Sequence, residues 1–68
     1  MDNDNLTTAM NHIITALRER GYNPYHQIYA YLKYDEPAYI TKHDGARDLI
    51  QTLNKAQVLE YVKTQLQK

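Results

Sequence analysis

The stretch ERGYNPYHQIYAYLKYDEPAYI, Glu19 to Ile40, holds six of the seven tyrosines and both prolines of the chain. Its breaks fix the fold class. Gly21 can adopt the left-handed conformation that stops a helix, just after Arg18 and Arg20, whose charge suits a helix C-terminus. Asn23-Pro24 restarts one, with a capping side chain directly before a proline whose missing N–H costs nothing in the first turn. Tyr25, Ile28, Tyr29 and Leu32 then recur at helical spacing, with Tyr31 on the shoulder of that face. Alternation over Tyr29, Tyr31 and Lys33 is the weaker pattern. Asp35-Glu36-Pro37 ends the run, because the residue before a proline avoids the helical region.

Outward from this segment the period stays helical. Towards the N-terminus, Leu6, Met10, Ile13, Ile14 and Leu17 share one face, with Thr8, Asn11, Thr15 and Glu19 opposite. Asn5 or Asn3 is the expected cap, so residues 1–5 read as a short flexible arm before one helical domain over residues 6–68. Towards the C-terminus, Thr41 and Asp44 read as a capping arrangement for a third helix, with Ala46, Leu49, Ile50 and Leu53 inward and Gly45 as a weak point in its first turn. Asn54 caps a fourth, with Val58, Leu59, Val62 and Leu66 inward. The expected fold is all-α, a compact and irregular bundle of four short amphipathic helices.

Composition narrows the function. With 68 residues and no cysteine, the chain has room for one small core, and neither a disulfide nor a cysteine-based metal site to support it. Sharing apolar surface with a second copy is the remaining way to enlarge that core, so a homodimer is expected. Eight basic residues balance eight acidic ones, which removes the positive excess that nucleic-acid binders use. Met1-Asp2-Asn3-Asp4-Asn5 has neither the charge nor the apolar run of a signal peptide, and no apolar run reaches about 18 residues. The expectation is a cytoplasmic protein with no membrane insertion.

The segments ALRERGYNP (Ala16–Pro24), QIYAYL (Gln27–Leu32), PAYIT (Pro37–Thr41) and ARDLI (Ala46–Ile50) resemble, in order and spacing, the signature of the IreB-like small regulatory proteins of Gram-positive bacteria. The resemblance runs from about Ala16 to Ile50, with a weaker helical likeness over Leu53 to Leu66. It implies an all-α homodimer that regulates rather than catalyses, in the pathway of a membrane-bound Ser/Thr kinase that phosphorylates threonines near the N-terminus. Gly21, Tyr22, Asn23, Pro24, Gln27, Ile28 and Tyr31 match its first block. Pro37, Ala38, Tyr39, Ile40, Ala46, Arg47 and Ile50 match its second. Two departures stand out. Thr7 and Thr8 occupy the general region of the family's phosphoacceptor but not its basic-aromatic context. Asp35-Glu36 replaces a Gly-Asp pair, which removes a glycine's freedom at that turn.

The candidate residues follow. Tyr22, Tyr25, Tyr29, Tyr31, Tyr39 and Arg47 are the candidate partner or dimer surface, since tyrosine offers an apolar body, a polar tip and few torsions to freeze. Tyr25 and Tyr29 also read as core or dimer contacts, while Tyr31 and Tyr34 project sideways. Arg47 sits near a helix start, where the macrodipole disfavours a cation, so a carboxylate partner from Asp35, Glu36 or another subunit is expected. Gly21, Asn23, Pro24, Pro37, Thr41 and Asn54 read as caps and turns. A phosphate on Thr7 or Thr8 would lie close to the first helix's N-terminus, where anions are favoured, and would act on the arm while leaving the bundle intact.

Catalytic, cofactor and metal sites are not expected. His12, His26 and His43 lack a two-ligand helical spacing, the Asp44 and Asp48 pair is better read as solvated charge, and the chain has no serine. The expected activity is that of a non-enzymatic regulator, whose partners are itself and another regulatory protein or a cell-envelope Ser/Thr kinase. The alternative is a small helical nucleic-acid-binding protein with a helix-turn-helix made by the middle helices. Charge neutrality opposes it, as does a connection from about Leu32 to Thr41, longer than that motif's roughly three- or four-residue turn.

Overall fold

The computed structural model describes residues 2–66. Its elements are α1 (Asp2–Glu19), α2 (Pro24–Tyr34), a 3₁₀ turn at Pro37–Tyr39, a second at His43–Gly45, α3 (Ala46–Gln51) and α4 (Lys55–Leu66). No strand occurs among the described residues, so the chain is all-α with four α-helices.

Backbone chemistry sets the boundaries. At the end of α1, Gly21 takes φ +82°. The Tyr22 N–H then reaches the carbonyl of Leu17 at 3.0 Å, and the Gly21 N–H reaches that of Arg18 at 3.0 Å. These two bonds make a Schellman motif and satisfy carbonyls the helix end would otherwise leave free. Asn23 Oδ1 accepts from the His26 N–H at 3.2 Å, with Pro24 at the first helical position of α2. Asn54 Oδ1 does the same for the Gln57 N–H at 3.1 Å, just before α4.

Two boundaries differ from the sequence reading. Helix α1 begins at Asp2, so residues 2–5, expected as an arm, form its first turn, and Asn3 and Asn5 lie within the helix. No proline or glycine lies between Asp2 and Leu6 to stop it. The third helix starts at Ala46 and not at Thr41. The expected Thr41–Asp44 capping box is absent: Thr41 Oγ1 accepts from the His43 N–H at 3.2 Å, and Asp44 sits at φ +53°. Gly45, at φ +73°, is the residue before α3 rather than part of its first turn. Two successive left-handed residues cannot continue a helix, which delays α3 by a turn.

The expected stripes converge on one core. Met10, Ile13 and Leu17 of α1 are fully buried, and so are Ile28 of α2, Ile50 of α3, and Val58 and Val62 of α4. Helix α1 packs chiefly on α3, and α2 on α4. Leu6, Leu49, Leu53 and Tyr61 close the margins as partly buried neighbours. No charged or polar side chain is buried among the described residues, so the core rests on apolar contact. The Cα radius of gyration is 10.8 Å, close to the roughly 11 Å expected of a compact chain this long.

Candidate functional site: a tyrosine surface

The six tyrosines of the central stretch separate by angle. On α2 the buried side is Pro24, Ile28 and Tyr31. Tyr31 keeps only 2% of its surface exposed, while Tyr29 keeps 51%. Tyr31 is therefore a core residue of the protomer rather than a partner surface, and Tyr29, expected in the core or at a dimer contact, lies outside the core. The helix is rotated so that the Pro24-Ile28-Tyr31 stripe, and not one centred on Tyr29, meets α1 and α4. Burial of Tyr31 raises its phenol pKa above the ordinary value, because the phenolate would lose solvent. Lys55 Nζ lies 5.6 Å from the centre of the Tyr31 ring and pairs with the Asp35 carboxylate. Two anionic or π-rich neighbours thus compensate a lysine at the N-terminus of α4, where the dipole opposes it.

The other rings gather outside. Tyr22, Tyr29, Tyr34 and Tyr39 are the large exposed apolar side chains of the described residues, and Tyr34 is the most exposed at 59%. Tyr34 and Tyr39 stack with centroids 5.7 Å apart across the turn at Asp35. Lys33 Nζ approaches the Tyr34 ring to 5.4 Å. Tyr25, half-buried against the core, lines an open groove of about 500 Å³ on the outer side of α2 with Asn23, His26, Tyr29, Lys33 and Tyr34. Tyr29 also walls a smaller hollow of about 240 Å³ with Leu32 and Leu59. Tyr34 was missing from the candidate surface; its signal was the five-residue step to Tyr39 around a turn, which brings the two rings together.

Within the protomer Arg47 pairs with neither Asp35 nor Glu36. Its Nε donates to the Ile40 carbonyl at 2.8 Å, and it makes no ion pair among the described residues. Asp35 is engaged by Lys55, and Glu36 Oε1 accepts from the Ala38 N–H at 3.1 Å, starting the Pro37 turn. Gln27 Nε2 donates to the Tyr39 carbonyl at 3.0 Å. Gln27 and Arg47 thus hold the carbonyls of adjacent residues, and Ile40 between them is fully buried. The Pro-Ala-Tyr-Ile block is an internal brace that sets Tyr39 against Tyr34. Gln27 matches the family's first block, but its bracing role has no local signal, since its partner is a backbone atom in another element.

Thr7 and Thr8 are exposed on α1. Because α1 starts at Asp2, both lie beyond its first turn, outside the reach of its N-terminal dipole. The expected stabilisation of a phosphate there by free N–H groups is therefore lost. Thr7 instead lines a groove of about 490 Å³ between α1 and α4, facing Gln57, Glu60 and Tyr61. Asp44 and Asp48 are not helical neighbours, since Asp44 precedes α3 with left-handed backbone. Side chains of metal-ligand type do converge elsewhere, at Glu19, His43 and Asp44.

The family model described as IreB regulatory phosphoprotein matches residues 1–67. The chain belongs to that family. Membership agrees with the resemblance of the Gly-Tyr-Asn-Pro and Pro-Ala-Tyr-Ile blocks, and the structure gives those blocks a physical role as helix stop, helix start and brace. The family is one of regulatory phosphoproteins. None of the described helices is long and apolar enough to cross a membrane.

Proposed function

We propose that the protein is a non-enzymatic regulator that works through protein contacts made by its tyrosine surface, with a second copy as the first partner. The supporting observation is that the large apolar side chains left exposed are tyrosines drawn from residues 22–39. Clustered apolar surface on a small protein marks an interaction site. Rings with polar tips suit a surface that must be wet when free and dry when bound. The cytoplasm of a Gram-positive bacterium is the proposed setting. A cell-envelope Ser/Thr kinase pathway is the proposed source of phosphate, with Thr7 and Thr8 as acceptors because family membership and their exposure agree.

Sedimentation velocity tests the dimer. The wild type should sediment as a dimer at micromolar concentration, and a Tyr29→Asp, Tyr34→Asp double variant as a monomer with unchanged helical circular dichroism. Both side chains are more than half exposed, so neither change touches the core. A wild type that remains monomeric at every concentration overturns the dimer. Phosphopeptide mapping after incubation with such a kinase tests the acceptors, and phosphate found only elsewhere removes Thr7 and Thr8.

A further inference from the structure

We infer that Glu19, His43 and Asp44 form a binding site for one zinc ion that ties the end of α1 to the turn before α3. The inference is independent of the regulatory reading above. Glu19 is the last residue of α1, and His43 and Asp44 belong to the second 3₁₀ turn. His43 Nε2 lies 2.9 Å from Glu19 Oε1 and 3.4 Å from Asp44 Oδ2. One ligand atom from each residue falls within 4.8 Å of the others. A tetrahedral zinc with bonds of about 2.0–2.2 Å separates its ligands by roughly 3.3–3.6 Å, so small side-chain shifts suffice.

Charge supports a cation there. Two carboxylates face one imidazole nitrogen, and a single N–H on that nitrogen can serve one of them well. A zinc dication there would balance the two carboxylates, with the imidazole nitrogen as a third donor. Glu19 also stands at a helix C-terminus, where the dipole opposes an anion and favours a cation. The donor set of one imidazole nitrogen and two carboxylates suits zinc, whereas magnesium and calcium select oxygen ligands alone. His12 Nε2 donates to the Asp44 carbonyl at 2.7 Å and so holds the turn against α1 from a second point. His43 is about one-third exposed, which leaves room for water as the fourth ligand.

Zinc added to the purified full chain, followed by calorimetry and by histidine ring resonances, tests the site. One ion per chain should bind saturably, move the His43 ring signals but not those of His26, and raise the melting temperature. His43→Gln and Glu19→Gln should each weaken binding by more than the about 10–100-fold typical of losing an outer-shell partner. His26→Gln should leave it within about twofold. Glu19 is about half exposed, so its variant stays folded even if the histidine variant does not. No saturable binding, one ion per two chains, or equal losses in the His26 and Glu19 variants would overturn the site.

Discussion

Tyr31 and Tyr29 stand two positions apart on α2, and only one of them is interior. Replacing Tyr31 with alanine should cost about 3–5 kcal/mol, the range for emptying a large aromatic from a core. For a chain of this size that approaches the whole expected stability of roughly 3–10 kcal/mol, so the variant should appear unfolded by circular dichroism. Tyr31→Phe keeps the ring and should stay within about 1 kcal/mol of the wild type. The phenol also predicts a pH dependence. Its pKa is raised in the fold, so above the unfolded tyrosine value, near 10, the folded chain holds more protons than the unfolded one. This contribution to stability is complete below that pH and declines as pH rises through the folded pKa. Urea titrations from about pH 9 to pH 11 should show a decline that is smaller in Tyr31→Phe. The sequence could not choose between the two rings. Ile28 anchors a helical stripe that either Tyr25 and Tyr29 or Pro24 and Tyr31 can complete, and the choice depends on how α2 rolls against α4.

At the scale of elements, starts and stops written in short local motifs were legible, and those that put a non-glycine residue in the left-handed region were not. Gly21, Asn23-Pro24 and Asn54 work through bonds that span three to five positions, so local sequence alone locates them. The turn at Asp35 differs. A non-glycine residue was expected to change its geometry, yet Asp35 adopts φ +52° and ends α2 in the left-handed region. Asp35→Gly should relieve that backbone and raise stability by about 0.5–1 kcal/mol in urea titration, since the exposed pair with Lys55 contributes little to offset it. Gly21→Ala should do the reverse, with a loss of about 1–2 kcal/mol from backbone strain alone. An added Cβ there meets nothing within 4 Å. The α1–α4 groove makes the two threonines unequal. Thr7→Asp places a charge facing Glu60 and should lower the melting temperature by a few degrees. Thr8→Asp, outside that groove, should change it by less.

For the molecule as a whole, the four-helix core was readable because its stripes are local and periodic, whereas the surfaces that distinguish this chain join residues distant in sequence. Tyr34 meets Tyr39 around a turn, Arg47 reaches back to Ile40, and Glu19 meets His43 across 24 positions. The last two meetings follow no spacing rule; they exist only once the core has set. Arg47→Ala should therefore destabilise the fold by about 1.5–3 kcal/mol, the range for a hydrogen bond made by a charged group, and should also disturb Tyr39, which a thermal melt and the Tyr39 ring resonances would report. The brace has one more consequence. Residues 35–45 lack any long helix, and on that ground alone they would be the obvious place for a protease to nick or for an engineer to insert a tag. With the Ile40 side chain sealed inside, its own carbonyl clasped by Arg47 and that of Tyr39 by Gln27, cleavage there must wait for the entire globule to open. In limited digestion this connection should therefore survive as long as the helices do.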